Sequence, residues 1–326
     1  MRNIGKGRII ALVLLIACMT DQRTVAQEPT TVHPDVITVN YYSDTLLQRL
    51  MVQTEQVYDA GLDTMPQILF WRRIMNMTPD SGLVTLASDR TVFCSMLTSN
   101  WDGLGDAGQD QMRDSLRKAN SLSDSTAIYW TKGKNDFYDA EAVIPQIDRA
   151  IPIFTAMDVD PFYAQAILLI ESPGKILKSN VGAMGAFQLM KPVAIQMGLK
   201  VNKSVDERKD FDKSAAAAAK LLKTICIPYT NALLDKRGIT YNPNDLWYRL
   251  LVLHVYHAGS GNVDKALSVI DPCDGGMDLI EQLWVTKAGQ FGKSSQAYSQ
   301  LAVAALIELD VACGKYEAEN TRCKDQ

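Results

Sequence analysis

The chain has 326 residues, 47% of them apolar and 21% charged, with a formal net charge of −4. That apolar content suffices for one large core or two smaller ones, and the acidic balance argues against nucleic acid as a partner. Six cysteines occur without a Cys-x-x-Cys pair, so neither a dithiol redox motif nor a zinc-ligand set is indicated.

Arg2, Lys6 and Arg8 precede a continuous apolar run from Ile9 to Ala17, which is far shorter than the roughly 20 residues of a membrane-spanning helix. This pattern reads as an export signal. Two processing routes fit it: cleavage after Thr24-Val25-Ala26, or a lipobox Leu15-Ile16-Ala17-Cys18 that would make Cys18 a lipid anchor. Both place the protein in the cell envelope, in the periplasm or as an outer-membrane lipoprotein. Loss of residues 1–26 leaves 29 basic against 36 acidic side chains, a net of −7. Any hold on a polyanionic surface must then come from groove contacts and hydrogen bonds. Cys94, Cys226, Cys273, Cys313 and Cys323 remain, and an oxidising compartment favours at least one disulfide. The favoured pair is Cys313 with Cys323, which would staple the charged tail, although pairing is not readable from spacing.

Helical signals dominate residues 27–138. Ser43 or Asp44 can cap a segment in which Leu47, Leu50, Met51, Thr54 and Tyr58 recur at helical spacing, ending at Gly61. Thr64 and Pro66 open a second predicted helix. Trp101 to Gln111, with Gly103, Gly105 and Gly108, reads as a surface loop, because no Lys-Ser/Thr follows to make it a phosphate loop. No sustained strand alternation is visible. Asp139 opens a third helix carrying Val143, Ile147, Ile151 and Phe154.

In the central region Asp160 and Pro161 start a helix from Phe162 to Ile170 that is apolar nearly all round, and its last residue is Glu171. Apolar neighbours and the negative end of the helix dipole both disfavour ionisation there, which suits a general acid. A helix-terminal glutamate reaching solvent or a basic partner is the competing reading.

From Asp160 to Val263 the chain resembles the lytic transglycosylases of the soluble lytic transglycosylase (SLT) family, most closely the membrane-bound D type. The matching blocks are Glu171-Ser172, then Ser179 ahead of Gly182-Ala183-x-Gly185, then Gln188-Leu189-Met190. They continue with Asp206-Glu207-Arg208, Asp210, Ser214 and the alanines Ala215 to Ala219, and end in Tyr256, Ala258, Gly259, Gly261 and Val263. His257 stands where the family usually has Asn, Pro173-Gly174 replaces a polar pair, and the loop from Glu171 to Ser179 is one residue shorter than usual.

The resemblance implies a mostly α-helical chain organised around a lysozyme-like SLT domain. Residues 139–272 would form that domain, between a helical N-terminal region (27–138) and a helical C-terminal extension (273–326). It implies cleavage of peptidoglycan between N-acetylmuramic acid and N-acetylglucosamine without water, leaving 1,6-anhydromuramoyl ends, with no metal or organic cofactor. Glu171 would be the single catalytic acid and base. Ser172, Ser179, Gln188, Met190, Tyr256 and His257 would contact substrate: Gln188 and Ser179 by hydrogen bonds to acetamido groups, Tyr256 by stacking on a sugar face. Each has a rival reading, Gln188 as a turn-backbone partner, Ser179 as a cap and Tyr256 as core.

Asp206, Glu207 and Arg208 read as an ion-pair and capping cluster. His254 and His257 sit three apart, yet no third metal ligand is evident. Trp284, Phe291, Tyr298, Leu301 and Leu306 make an amphipathic helix that seals one side of the domain, with Trp284, Phe291 or Tyr298 available to extend a sugar groove. The alternatives to a transglycosylase are a muramidase on the same fold, with Asp206 or Asp210 placing a water, and a wall-binding protein without catalysis.

Overall fold

The computed structural model describes residues 33–42, 46–270 and 274–324, and the side chains of 40–47 and 315–324 are not described. The export segment with Cys18 therefore lies outside the described residues, as do Cys273 and the side chain of Cys323 on which the favoured disulfide depends. Cys94 and Cys226 are free thiols.

The fold is mostly α-helical, as expected, but the N-terminal region carries strands that the sequence reading did not foresee. β1 (Val36–Tyr42) and β2 (Leu46–Val52) form an antiparallel hairpin in the register Val36 with Val52. The helix expected from Ser43 to Gly61 is thus a strand followed by the short α1 (Glu55–Asp59). Tertiary partners explain the reversal. The amide of Leu50 donates to Asp148 Oδ1 at 2.8 Å. The fully buried Gln165 exchanges two hydrogen bonds with the backbone of Val52, at 2.9 and 2.8 Å. Its side-chain amide thereby acts as one more peptide unit paired to β2 and satisfies the backbone of the buried Val52.

α2 (Pro66–Asn76) begins at Pro66 as predicted. After it, β3 (Ser81–Leu86), β4 (Val92–Leu97) and β5 (Ile128–Lys132) form an antiparallel sheet in the order β4-β3-β5. The stretch expected as a glycine-rich surface loop is instead α3 (Thr98–Gly103) followed by α4 (Gly105–Ala119). Gly105, at φ +60°, makes the break between them. Val84, Trp101 and Ile128 form a small core of their own between sheet and helices, and Trp101 stacks on Trp130 at 4.8 Å.

α5 (Ala140–Ala156) starts where Asp139 Oδ1 accepts from the Ala142 amide at 3.0 Å, and it buries Val143, Ile147, Ile151 and Phe154 as predicted. α6 (Phe162–Glu171) follows, with Asp160 Oδ1 accepting from the Phe162 amide at 2.9 Å and Phe162 to Ile170 buried. Next come α7 (Lys191–Gln196), α8 (Phe211–Leu221), a π-helical turn at Leu222–Cys226, and α9 (Ile227–Asp235). α10 (Leu246–Ala258), α11 (Ser260–Leu267) and α12 (Met277–Val285) lead to α13 (Lys293–Lys324).

α13 does not seal one side. It packs on α2, α5, α6, α10, α12 and β1, and Ser299, Ala302, Val303, Ala304 and Leu306 are wholly buried. It is long and apolar enough to cross a membrane between Lys293 and Gly314, but 67% of its most apolar stretch is buried within this fold. One continuous core runs from Met51 to Leu309.

Between α6 and α7 the chain turns tightly under Arg208. That guanidinium pairs with both Asp206 oxygens, at 2.9 and 2.7 Å, and donates to the carbonyls of Gly182 and Leu189 at 2.9 and 3.0 Å. Gly185 sits at φ +87°, and a β-carbon there would lie 1.9 Å from the Arg208 carbonyl oxygen. Because both backbone strain and a backbone clash oppose any side chain at this point, Gly185→Ala should lower stability by about 2 kcal/mol or more. Thermal melting should show this as a clearly reduced transition temperature, whereas Gly182→Ala, where the space is open, should cost less.

Candidate active site

Glu171 is the last residue of α6 and ends it at the floor of a cavity of about 880 Å³. The helix cannot continue, because Ser172 leaves helical geometry and its buried hydroxyl donates to the Lys175 carbonyl at 2.6 Å. Ser172 thus fixes the turn that presents the acid.

The carboxyl group is hemmed in by Tyr138, Tyr256 and Tyr298, and its charge helps to hold all three phenols above their ordinary value, after the larger effect of burial. Tyr298 Oη donates to Glu171 Oε1 at 2.8 Å. Burial pushes the Glu171 pKa up from 4.5 to about 7, and the Tyr298 hydrogen bond limits the rise. A glutamate in that range is still substantially protonated near neutrality, and its conjugate base is strong enough to recover a proton.

His257 also lines the cavity and stacks on Tyr298, with ring centroids 4.2 Å apart. Its edge is exposed, but protein surrounds the ring at longer range, and that crowding lowers its pKa to about 4. It therefore stands at the rim as a neutral imidazole. His254 faces elsewhere: it is fully buried, shares a 2.8 Å hydrogen bond with Ser299, and is neutral because burial takes its pKa to about 3.

The remaining candidates are not brought to this cavity. Gln188, at φ +45°, donates to the carbonyls of Leu177 and Gly185 at 2.9 and 2.8 Å, so its amide hydrogens are spent on the turn. Ser179 Oγ accepts from the Ala183 amide at 2.9 Å and closes the same loop. Tyr256 donates to the Phe187 carbonyl at 2.6 Å and packs against the core. Met190 is exposed at the start of α7. The described hydrogen bonds of Ser179, Gln188 and Tyr256 are thus all to backbone between residues 177 and 187. Trp284 and Phe291 are core, with Trp284 Nε1 donating to Ser299 at 2.8 Å.

Much of the rest of the cavity lining comes from a region where the sequence offered no recognisable block. Trp71 of α2, Arg90 of the β3–β4 turn, Trp101, Arg113 and Arg117 of the small helices, and Tyr129 and Trp130 of β5 line it. Only the density of tryptophan and arginine between residues 71 and 130 hinted at such a surface.

The helical architecture is that of a lysozyme-like SLT domain at residues 154–269 with helices before and after it. Residues 154–269 match the family model of the transglycosylase SLT domain, a family of peptidoglycan lytic transglycosylases. Comparison with individual curated proteins gives no match.

Two outcomes follow from the electrostatics. A carboxyl whose pKa rises from 4.5 to about 7 on folding binds its proton more tightly when folded, so this stabilising contribution is full below about 4.5 and is lost as pH rises through 7. Glu171→Gln should therefore melt higher than the wild type at pH 8, and the gap should shrink by pH 5. Tyr298→Phe removes the bond that favours the carboxylate. The alkaline limb of the activity profile should move above 7 and turnover fall about tenfold, the worth of one charge-assisted hydrogen bond.

Proposed function

We propose that the protein is an exported lytic transglycosylase of the membrane-bound D type, cutting the β-1,4 bond between N-acetylmuramic acid and N-acetylglucosamine. The observation that carries this reading is Glu171 lining the cavity, with its pKa raised by burial to about 7 and its carboxyl held by Tyr298. In the first step Glu171 gives its proton to the bridging oxygen as the bond to C1 breaks. The carboxylate so formed then takes the proton of the muramoyl C6 hydroxyl as that oxygen bonds to C1. A 1,6-anhydro ring closes, the glutamic acid is regenerated, and no water is consumed.

The disposition of the other carboxylates favours this over hydrolysis. A hydrolytic partner would need a free carboxylate across the bond, and both residues proposed for that role are occupied. Asp206 is paired with Arg208, and Asp210 caps α8 by accepting from the Lys213 amide at 3.1 Å. Asp110, the other acidic side chain lining the cavity, is paired with Arg113 at 2.6 Å. Export to the cell envelope, by signal cleavage or through a lipid on Cys18, would bring the enzyme to its polymer.

The test is mass spectrometry of fragments released from purified sacculi. Products lighter by one water, ending in 1,6-anhydromuramoyl groups and missing with Glu171→Gln, are expected. Reducing-end muramoyl products would identify a hydrolase, and no release by the wild type would leave a wall-binding protein. Cleavage by the wild type should fall as pH rises above about 7, because the free enzyme must carry the Glu171 proton.

A further inference from the structure

Arg90 is the anomaly of the cavity. It is 7% exposed, and among the described residues its guanidinium has neither an ion pair nor a side-chain hydrogen bond. It lies instead among three aromatic rings, 5.2 Å from the centroid of Phe70, 5.4 Å from that of Trp71 and 5.4 Å from that of Tyr129. Cation–π contacts offset part of the cost of desolvating it but supply no acceptor for its five N–H donors.

A second cation converges on the same place. Lys293 Nζ, at the start of α13, lies 3.8 Å from the Tyr129 centroid and likewise has no ion pair among the described residues. Two like charges thus share one ring and lie at most about 9 Å apart, an arrangement that favours an anion bound between them. Both line the cavity that Glu171 enters, as do Trp130 and the face of Trp71. The acidic side chains of that cavity do not satisfy them, since Asp110 is committed to Arg113 and Glu171 to Tyr298.

We infer that Arg90 and Lys293 form a carboxylate-binding subsite, built by the N-terminal sheet and the first turn of α13, that holds an acidic substituent of the glycan strand beside Glu171. The inference rests on the proposed function for the identity of the strand. The carboxylate has two sources there, the lactyl group of a muramoyl residue stripped of peptide and the stem peptide of an intact one. Arg90 supplies a planar fork suited to bidentate capture, and Lys293 a point charge at the open end. Tyr129 and Trp130 offer aromatic surface on which the sugar ring rests.

Binding rather than turnover tests it, so that failure of the reaction and failure of the subsite are read separately. Full-length Glu171→Gln protein is titrated with peptide-bearing muramoyl oligosaccharides, with peptide-free ones that keep the lactyl carboxylate, and with uncharged N-acetylglucosamine oligomers of equal length. Quenching of tryptophan fluorescence is the readout. One or both acidic ligands should bind about tenfold or more tighter than the uncharged oligomer, and which of them does so identifies the carboxylate. Adding Arg90→Gln or Lys293→Gln should bring that ratio towards one. Lys293 is exposed, so its variant keeps the test open if loss of the caged arginine harms folding. Equal affinity for all three ligands, or a preference that survives Lys293→Gln and a folded Arg90→Gln alike, would overturn the inference.

Discussion

The hydrogen bond from Tyr298 to Glu171 ties the acid to a helix far from it in sequence, and the protonation of the site depends on it. Glu171 belongs to the matched SLT region and Tyr298 to a helix beyond it. α13 reaches the acid because it runs through the middle of the protein, against α2 and β1 on one side and α6 and α10 on the other. Its polar residues are spent on keeping it there: Gln300 accepts from Trp71 Nε1 at 2.9 Å, and Ser299 bridges Trp284 and His254. A helix that fixes its polar groups to three other elements has one rotation available, and that rotation puts Tyr298 on the carboxyl group.

Burial and hydrogen bonding act on Glu171 in opposite directions, and the balance sets its chemistry. Complete removal from water without a partner would hold the carboxyl neutral well above physiological pH and leave its conjugate base poorly formed. A partner with a full positive charge would do the reverse, holding the group as a carboxylate unable to protonate a leaving oxygen. A tyrosine hydroxyl lies between these limits: it favours the carboxylate by one hydrogen bond while adding no charge. The resulting value of about 7 suits a group that has to give a proton and take one back within a single turnover. Burial and the Tyr298 hydrogen bond are the causes of the shift, and neither Arg90 nor Lys293 is among them.

Much of the central region was legible because its determinants are local. Asp139, Pro66 and the apolar run to Glu171 act within a turn or two of their own position, and the Asp206 to Arg208 pair lies within one 3₁₀ turn. The turn that Gly185 permits is likewise a property of a few residues. β2 was illegible for the opposite reason. Leu46, Leu47, Leu50 and Met51 are spaced as a helix would space them, and the decision for a strand is made by Asp148 and Gln165, about a hundred residues away. The β-branched run Val36-Ile37-Thr38-Val39 was the available sign that its partner was a strand. In α4, Gly105 and Gly108 masked a helix that buries no residue completely and is held by Arg113 on Trp101 and by Arg117 on the Thr126 carbonyl.

Substrate-facing roles were harder to read than the fold. Motif blocks identify residues that travel together, but travelling together does not separate contact with substrate from support of the residue that makes it. Gln188 and Ser179 lie in the matching blocks, yet their described hydrogen bonds are to the turn that carries Gly185. Much of the rest of the cavity lining is assembled from segments that no single block spans: α2, the β3–β4 turn, α3, α4 and β5. A site of that kind leaves its trace as an excess of tryptophan and arginine without a period. Only the fold shows that Arg90, Tyr129 and Lys293, about two hundred residues apart at the extremes, meet over one ring. Glu171 thus ends a locally encoded helix, whereas the tyrosine that holds it and most of the cavity lining around it come from sequence on either side of that helix.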